Sequence, residues 1–358
     1  MKKLFSLIFL SVSSIVAFAQ DSTQSHLKIS GYLEAYYGYD FNQPKNGNRP
    51  GFVYSHNRHN EFNLNLGFIK AAYDNGNVRA NLAVMAGTYA NANLAAEPGV
   101  LKNIYEANAG VKLAKNANLW LDAGIFASHI GFESAVSKEC WTLTRTILAE
   151  NSPYYEAGAK LTYITNNDQW TLTGLVLNGW QRIQRVEGNS SIGLGTQIQY
   201  KPTDKITLNS STFFGNDKPD SVKQNRYFHN FYGIFQLSEK FGLTTGFDFG
   251  WEQKAKGSSA YNTWYSPVLI ARYQFADKWF AAARGEYYRD KNDVIISTGT
   301  PQGFQTFGYS LDVDYAPFAN AVIRLEGKMY TGSDAVFTWD NRASANNALL
   351  TTSIALNF

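Results

Sequence analysis

Apolar and polar residues alternate along most of the chain with a period of two, which is typical of a β-strand with one apolar and one polar face. The clearest stretch is residues 78–87, where one side carries Val78, Ala80, Leu82, Val84 and Ala86. The same pattern predicts 16 strands in all. They are residues 27–41, 61–73, 78–87, 104–114, 119–126, 154–163, 170–178, 191–200, 206–214, 226–237, 241–251, 261–273, 278–288, 304–315, 321–330 and 349–358.

The connections between these segments alternate in length. Seven are short, at residues 74–77, 115–118, 165–168, 201–204, 238–240, 275–277 and 316–320. The longer ones include residues 42–60, 90–103, 127–152 and 289–303. A set of β-sandwiches gives no reason for this parity, whereas outer-membrane barrels have short periplasmic turns and long outer loops. The sequence therefore predicts an all-β protein, a transmembrane antiparallel up-and-down β-barrel of about 16 strands.

The last eight residues, "TTSIALNF", continue the alternation to Phe358. A free strand at this position would leave an unpaired sheet edge. We therefore expect residues 349–358 to pair with residues 27–41 and close the sheet, with Leu350, Ile354, Leu356 and Phe358 facing lipid. An aromatic end with apolar residues at steps of two also resembles the signal by which the barrel-assembly machinery recognises such chains.

Aromatic residues cluster beside the short turns, as in the interfacial girdles of membrane barrels. Tyrosines close strands that run into short turns, at Tyr73, Tyr163, Tyr200, Tyr273 and Tyr315. Other aromatics open strands that leave them, at Trp120, Trp170, Phe241 and Trp279. The general preference of tyrosine for strands is the alternative explanation.

The N-terminus predicts export. Lys2 and Lys3 precede an apolar run that ends in "AFA", which indicates a signal peptide at residues 1–19 and a single barrel domain at residues 20–358. The chain has one cysteine, Cys140, so it forms no internal disulfide. It has 32 Lys and Arg against 29 Asp and Glu, and this balance argues against nucleic-acid binding.

The charged side of each strand should face the lumen, because Arg or Lys facing lipid near the midplane costs roughly 2–4 kcal/mol. The phase of residues 61–73 and 170–178 is ambiguous, so we assign no lumen residues there. A mixed-charge wall in a barrel of this size predicts a water-filled pore for small hydrophilic solutes and ions. The predicted pore-lining residues are Arg79, Glu106, Lys112, Asp122, Glu156, Lys160, Asp248, Arg284, Glu286, Asp312, Asp314, Arg324, Glu326 and Lys328. On this reasoning, Arg324→Glu should shift selectivity toward cations.

Residues 127–152 break the alternation and contain a possible short amphipathic helix at residues 137–150. Two positions are open for this segment: a loop that folds inward and narrows the channel, or a cap over the barrel mouth. If it folds inward, the constriction candidates are Glu133, Glu139, Arg145 and Glu150.

Six blocks of the chain are distinctive when taken together: "GIFASHIGFESA" (124–135), "CWTLTR" (140–145), "AENSPYYEAGAKLTY" (149–163), "NGWQRI" (178–183), "FFGND" (213–217) and "RYFHNFY" (226–232). They resemble the OmpL-like β-barrel porins of Gram-negative outer membranes. The resemblance implies a passive porin in contact with outer-membrane lipid and lipopolysaccharide. By analogy it also implies a homo-oligomer. It supplies no matched set of substrate-binding residues.

Other functions remain as alternatives. His56 and His59 have a spacing of three residues, but no acid or cysteine pattern completes a metal site, and no cofactor is expected. We expect no enzyme, although His129 and His229 are conceivable bases of a barrel lipase or protease. The third alternative is a structural or adhesive barrel with a plugged lumen, which ion flux would distinguish from a pore.

Overall fold

The computed structural model describes residues 25–340 and 342–358, so the predicted signal peptide lies outside the described residues. The strands are β1 (Leu27–Asp40), β2 (Phe62–Asp74), β3 (Val78–Ala86), β4 (Ile104–Lys112), β5 (Asn118–Ala127), β6 (Tyr155–Ile164), β7 (Trp170–Leu177), β8 (Gly193–Thr203), β9 (Ile206–Gly215), β10 (Arg226–Gln236), β11 (Phe241–Gln253), β12 (Tyr261–Ala276), β13 (Trp279–Asp290), β14 (Phe304–Phe318), β15 (Ala321–Gly332), β16 (Phe337–Trp339), β17 (Arg342–Ser344) and β18 (Asn346–Asn357). Each boundary of the 16 predicted strands lies within three residues of the observed one.

The sheet is a closed antiparallel barrel in which each strand pairs with its neighbour in sequence, and β18 pairs with both β15 and β1. The closing register runs from Tyr32 opposite Asn357 to Asp40 opposite Leu349. Phe358 extends it, because Gly31 N donates to Phe358 O at 2.8 Å. The predicted 16-strand barrel and its closure by the last strand are confirmed.

Short elements occupy the long connections. Helix α1 (Thr88–Asn93) follows β3, and helix α2 (Ile147–Glu150) lies between β5 and β6. Strands β16 and β17 form a separate two-stranded sheet between β15 and β18. Within residues 25–340 and 342–358, the helices are all too short or too polar to cross a membrane.

The outer face of the barrel is apolar over its middle. Alternate residues on each strand point outward, for example Leu311, Leu325 and Ile354, which are exposed. The aromatics beside the short turns mostly lie on this face, where Trp170 stacks on Tyr200 and Trp279 on Tyr315, with ring centroids 4.2 and 4.6 Å apart. The expectation for Trp120 is wrong. Its side chain is buried on the inner face under the Arg79 guanidinium, 4.2 Å from the ring centroid, because it occupies the even, inward phase of β5.

The ambiguous phase of residues 61–73 has a structural cause. Strand β2 carries a bulge at Asn65, so the register with β1 shifts between Glu34 and Ala35. One extra residue reverses which side chains point inward. After the bulge the inward set includes Phe68 and Lys70, which the sequence pattern alone did not assign.

Candidate functional site

The connection from β5 to β6, residues 128–154, folds into the barrel and is called the inner loop below. Leu143 N and Thr144 N donate to Asp312 of β14 and Glu326 of β15, at 3.1 and 2.5 Å. On another side Gly131 N donates to Asn230 of β10, at 3.2 Å. The loop therefore lies inside the lumen and contacts widely separated strands, so it is not a cap over the mouth.

A cluster of charges on β13, β14 and β15 holds the inner loop. Arg284 pairs with Glu326 at 2.6 Å, and Arg284 Nη1 also donates to the Thr144 carbonyl at 2.7 Å. Arg324 pairs with Asp314 at 2.6 Å and donates to the Ser137 carbonyl at 2.6 Å. The buried backbone of an irregular loop needs hydrogen-bond partners, and these side chains supply them.

Two further contacts complete this cluster, which we call the loop anchor. Lys328 Nζ pairs with Glu286 at 2.8 Å and donates to the Arg145 carbonyl at 2.9 Å. Ile147 N, at the start of α2, donates to Glu286 at 2.6 Å. Every anchor side chain is at most 5% exposed. The anchor consists of Arg284, Glu286, Asp312, Asp314, Arg324, Glu326 and Lys328.

The loop anchor corrects the expectation of a water-facing role for these seven residues. Strand phase does point them toward the lumen. However, the inner loop covers them, so they bind protein and not solvent. The same correction applies to Glu156, which is buried against His129, and to Asp248, which accepts from Asn230 at 2.6 Å.

The opposite wall, on β2 to β6, remains partly exposed. Lys70 pairs with Glu106 at 2.5 Å, and their side chains are 28% and 17% exposed. Arg79 donates two hydrogen bonds to Asp122, of 2.5 and 2.6 Å, and their side chains are 29% and 3% exposed. Lys112 and Lys160 on the same wall are partly exposed as well. We call Lys70, Arg79, Glu106, Lys112 and Lys160 the open wall. Asp122, the partner of Arg79, is buried beneath it, and in both ion pairs the cation is the more exposed partner.

Comparison with known proteins identifies the fold. Residues 26–358 match the family model described as beta-barrel porin-2, OmpL-like. The chain belongs to this porin family. Its resemblance to the OmpL-like porins, expected from the sequence blocks, is confirmed.

Solved outer-membrane barrels share the fold of this porin. The trimer form of OmpT from Vibrio cholerae gives a TM-score of 0.59 at 11% identity, over 93% of this chain and 99% of that one. OprB from Pseudomonas putida gives 0.61 at 9% identity, over 93% and 94%. The anion-selective porin of Comamonas acidovorans gives 0.59 at 8% identity, over 93% and 99%. These identities show the fold alone, and comparison with curated proteins found no match.

The four constriction candidates of this porin have different surroundings. Glu139 is exposed on the inner loop, and Glu133 is half-buried and accepts from Thr146 N at 2.9 Å. Arg145 is buried and donates to the carbonyls of Ser134, Ala135 and Leu143, so it braces the loop. Of the four, only Glu139 and Glu133 retain exposure, which makes Arg145 and Glu150 structural.

Glu150 connects the inner loop to residues 41–61. Its carboxylate accepts from Tyr54 N at 2.9 Å and from Ser55 N at 3.1 Å. Burial raises the pKa of Glu150 to about 6, although these hydrogen bonds and the Arg145 charge oppose that rise. The carboxylate therefore serves as a cap for two backbone N–H groups.

His129 fastens the first residues of the inner loop. Its Nδ1 lies 2.9 Å from Glu156 and its Nε2 lies 2.9 Å from the Thr212 carbonyl oxygen. Both partners only accept hydrogen bonds, so both ring nitrogens must carry a proton. Burial favours the neutral ring, yet the Glu156 charge and these hydrogen bonds outweigh it and raise the pKa of His129. Both ring nitrogens of His129 are thus hydrogen-bonded within the protein.

The other histidines have separate partners. His56 Nε2 lies 3.0 Å from Glu34, and His59 Nδ1 accepts from Asp40 N. His229 lies on the outer face, 2.8 Å from Ser210 Oγ, and stacks on Phe231. Among the described residues no carboxylate or amide orients its second nitrogen, and no three-ligand His, Cys, Asp or Glu group occurs there.

Several functional residues were missed by the sequence reasoning. Glu34, which accepts from Ser137 Oγ at 2.5 Å, shares the inward phase of Tyr32 and Tyr36, so the alternation could have found it. The inward orientation of Lys70 did not follow from the alternation, because the bulge at Asn65 shifts the phase of β2. No local sequence pattern indicated that His129 holds the inner loop, because its partner Thr212 is 83 residues away.

Proposed function

We propose that this porin forms a water-filled channel for the passive diffusion of small hydrophilic solutes and ions across the outer membrane. The observation that supports this proposal most strongly is the open wall, a partly exposed row of charged side chains on the inner face of β2 to β6. Such side chains are stable inside a barrel when water reaches them. The inner loop narrows the lumen and leaves this wall as the side for passage.

Of the predicted pore-lining residues, Arg79, Glu106, Lys112 and Lys160 belong to the permeation path. Asp122, Glu156 and Asp248 are buried and bind Arg79, His129 and Asn230. The loop anchor instead sets the position of the inner loop. Selectivity is then decided by the open wall and by the exposed Glu139 that the loop brings to the lumen.

We further propose that the chain catalyses no reaction, with family membership as the support. Export through residues 1–19, a mature domain at residues 20–358 and insertion by the barrel-assembly machinery through β18 are parts of the same proposal. So is a homo-oligomer, since the structurally similar OmpT has a trimer form.

A plugged structural or adhesive barrel is the second candidate, and the burial of the loop anchor under the inner loop favours it. Single-channel recording of the detergent-folded protein in a planar bilayer, under a salt gradient, separates the two. Discrete current steps are expected. A folded barrel that carries no current would overturn the diffusion proposal, and deletion of residues 131–145 would then show whether the inner loop is the plug.

A further inference from the structure

An outer cavity of about 660 Å³ lies at the long-loop end of the barrel. Its lining comes from residues 41–61, 291–303 and 333–345, from the ends of β1, β14 and β18, and from Asn151 of the inner loop. The open wall contributes nothing to it. A volume of this size is typical of small-molecule sites.

Arg49 lines this cavity and is only 5% exposed. Its Nη1 donates to the His56 carbonyl at 3.3 Å. Nε and Nη2 have no hydrogen-bond partner among the described residues, and no carboxylate there comes within 4.0 Å of the guanidinium. Burying a cation without a counter-ion costs free energy, so an anion bound beside Arg49 would be strongly stabilised.

Asn347 lines the same cavity and is 2% exposed. Its Nδ2 donates to Asp40 at 2.7 Å, which leaves the amide oxygen Oδ1 with no donor among the described residues. That oxygen can accept from a hydroxyl group. The cavity lining thus contains two N–H groups of Arg49 and one amide oxygen of Asn347 that have no hydrogen-bond partner among the described residues.

The cavity also has an aromatic side. Phe52 lies against Phe304 and Phe337, with ring centroids 4.7 and 6.1 Å apart, and all three line the cavity. Lys45 and Asp40 also line the cavity, but Lys45 pairs with Asp340 at 3.6 Å and Asp40 accepts from Asn347. The chemistry therefore combines an apolar surface, one guanidinium without a carboxylate partner and a hydrogen-bond acceptor.

We propose that the outer cavity binds small aromatic hydroxy acids. The ligand carboxylate pairs with Nε and Nη2 of Arg49, whose geometry suits two parallel hydrogen bonds. The hydroxyl donates to Asn347 Oδ1, and the ring packs against Phe52. Binding at this outer site does not depend on whether the lumen conducts.

Calorimetric titration of the detergent-folded full barrel with mandelate tests the proposal. Mandelate should bind, while its neutral amide and phenylacetate, which lacks the hydroxyl, should bind more weakly. Arg49→Gln should weaken mandelate binding by about tenfold or more, the effect of losing a charged hydrogen bond. Arg49→Lys should recover part of that loss.

Lys45→Gln is the matched control, because it removes a cation from the same cavity without touching the unpartnered guanidinium. Its effect should be smaller than that of Arg49→Gln. Absence of mandelate binding at millimolar concentration, equal binding of mandelate and its amide, or full binding by a folded Arg49→Gln variant would each overturn the proposal. Heat-modifiable migration on gels verifies that each variant is folded.

Discussion

Arg284 and Glu326 face each other across β14 at 2.6 Å, and both side chains are fully buried beneath the inner loop. Thr144 of the loop lies between them in the hydrogen-bond network: its N–H and hydroxyl donate to Glu326 and its carbonyl accepts from Arg284. The pair therefore joins the barrel wall to the segment that narrows the lumen.

Glu326→Gln should destabilise the barrel by about 2–4 kcal/mol, because it leaves the buried Arg284 with only the more distant Glu286, 3.6 Å away, as a carboxylate partner. Urea unfolding of the detergent-folded protein measures this free energy. The matched control is Glu106→Gln in the partly exposed ion pair with Lys70, where we expect a loss of less than about 1 kcal/mol. Equal effects of the two substitutions would show that burial under the loop does not strengthen the anchor.

Lys160→Gln should shift the reversal potential toward cations with little loss of stability, because Lys160 belongs to the open wall and the substitution adds no carboxylate opposite Asp122. Arg324→Glu, for which the sequence predicted such a shift, should instead release the inner loop, since it would place a third carboxylate beside Asp312 and Asp314. Bilayer recordings under a salt gradient compare the two variants, with Lys256→Glu in a long loop as the control. A clean cation shift in Arg324→Glu at unchanged stability would contradict this assignment.

Stability should fall as pH rises through the raised pKa of His129. A histidine whose folded-state pKa is raised adds stability that is complete below its ordinary value of 6.5 and is lost above the folded-state pKa. Urea midpoints measured from about pH 5.5 to about pH 9 cover this window. His129→Gln should flatten the curve, whereas His26→Gln at the exposed start of the described chain should not. If the urea midpoint of His129→Gln changes with pH as much as that of the unaltered protein, His129 is not protonated in the folded state.

Phe358→Ala should lower the amount of barrel assembled in the outer membrane while leaving refolding in detergent intact. The reason is that Phe358 is the last residue of the closing register and its ring, which lies over Gly31, stays 67% exposed, so it adds little burial to the folded barrel and is accessible for recognition. Heat-modifiable protein in outer-membrane fractions and in detergent refolding reactions gives the two readouts. Parallel loss in both would indicate a packing role, and Leu356→Ala on the same face provides the comparison.

The period-two pattern was sufficient for the strands, their order and their closure. A strand in a closed barrel pairs with its sequence neighbours, so local alternation and turn length specify the architecture. Leu350 and Ile354 point outward and Thr351 and Ser353 inward, as the alternation over residues 349–358 indicated.

Only the tertiary structure decided which inward charges meet water. Thr144 and Glu326 are 182 residues apart, and no local pattern in either segment predicts their contact. Asn65 shows the same limit at short range, since one bulge residue reverses the face of a strand without changing its composition. The sequence determined that Arg324 and Lys160 both face inward, because lipid excludes their charge. The packing of the inner loop buried the first and left the second partly exposed.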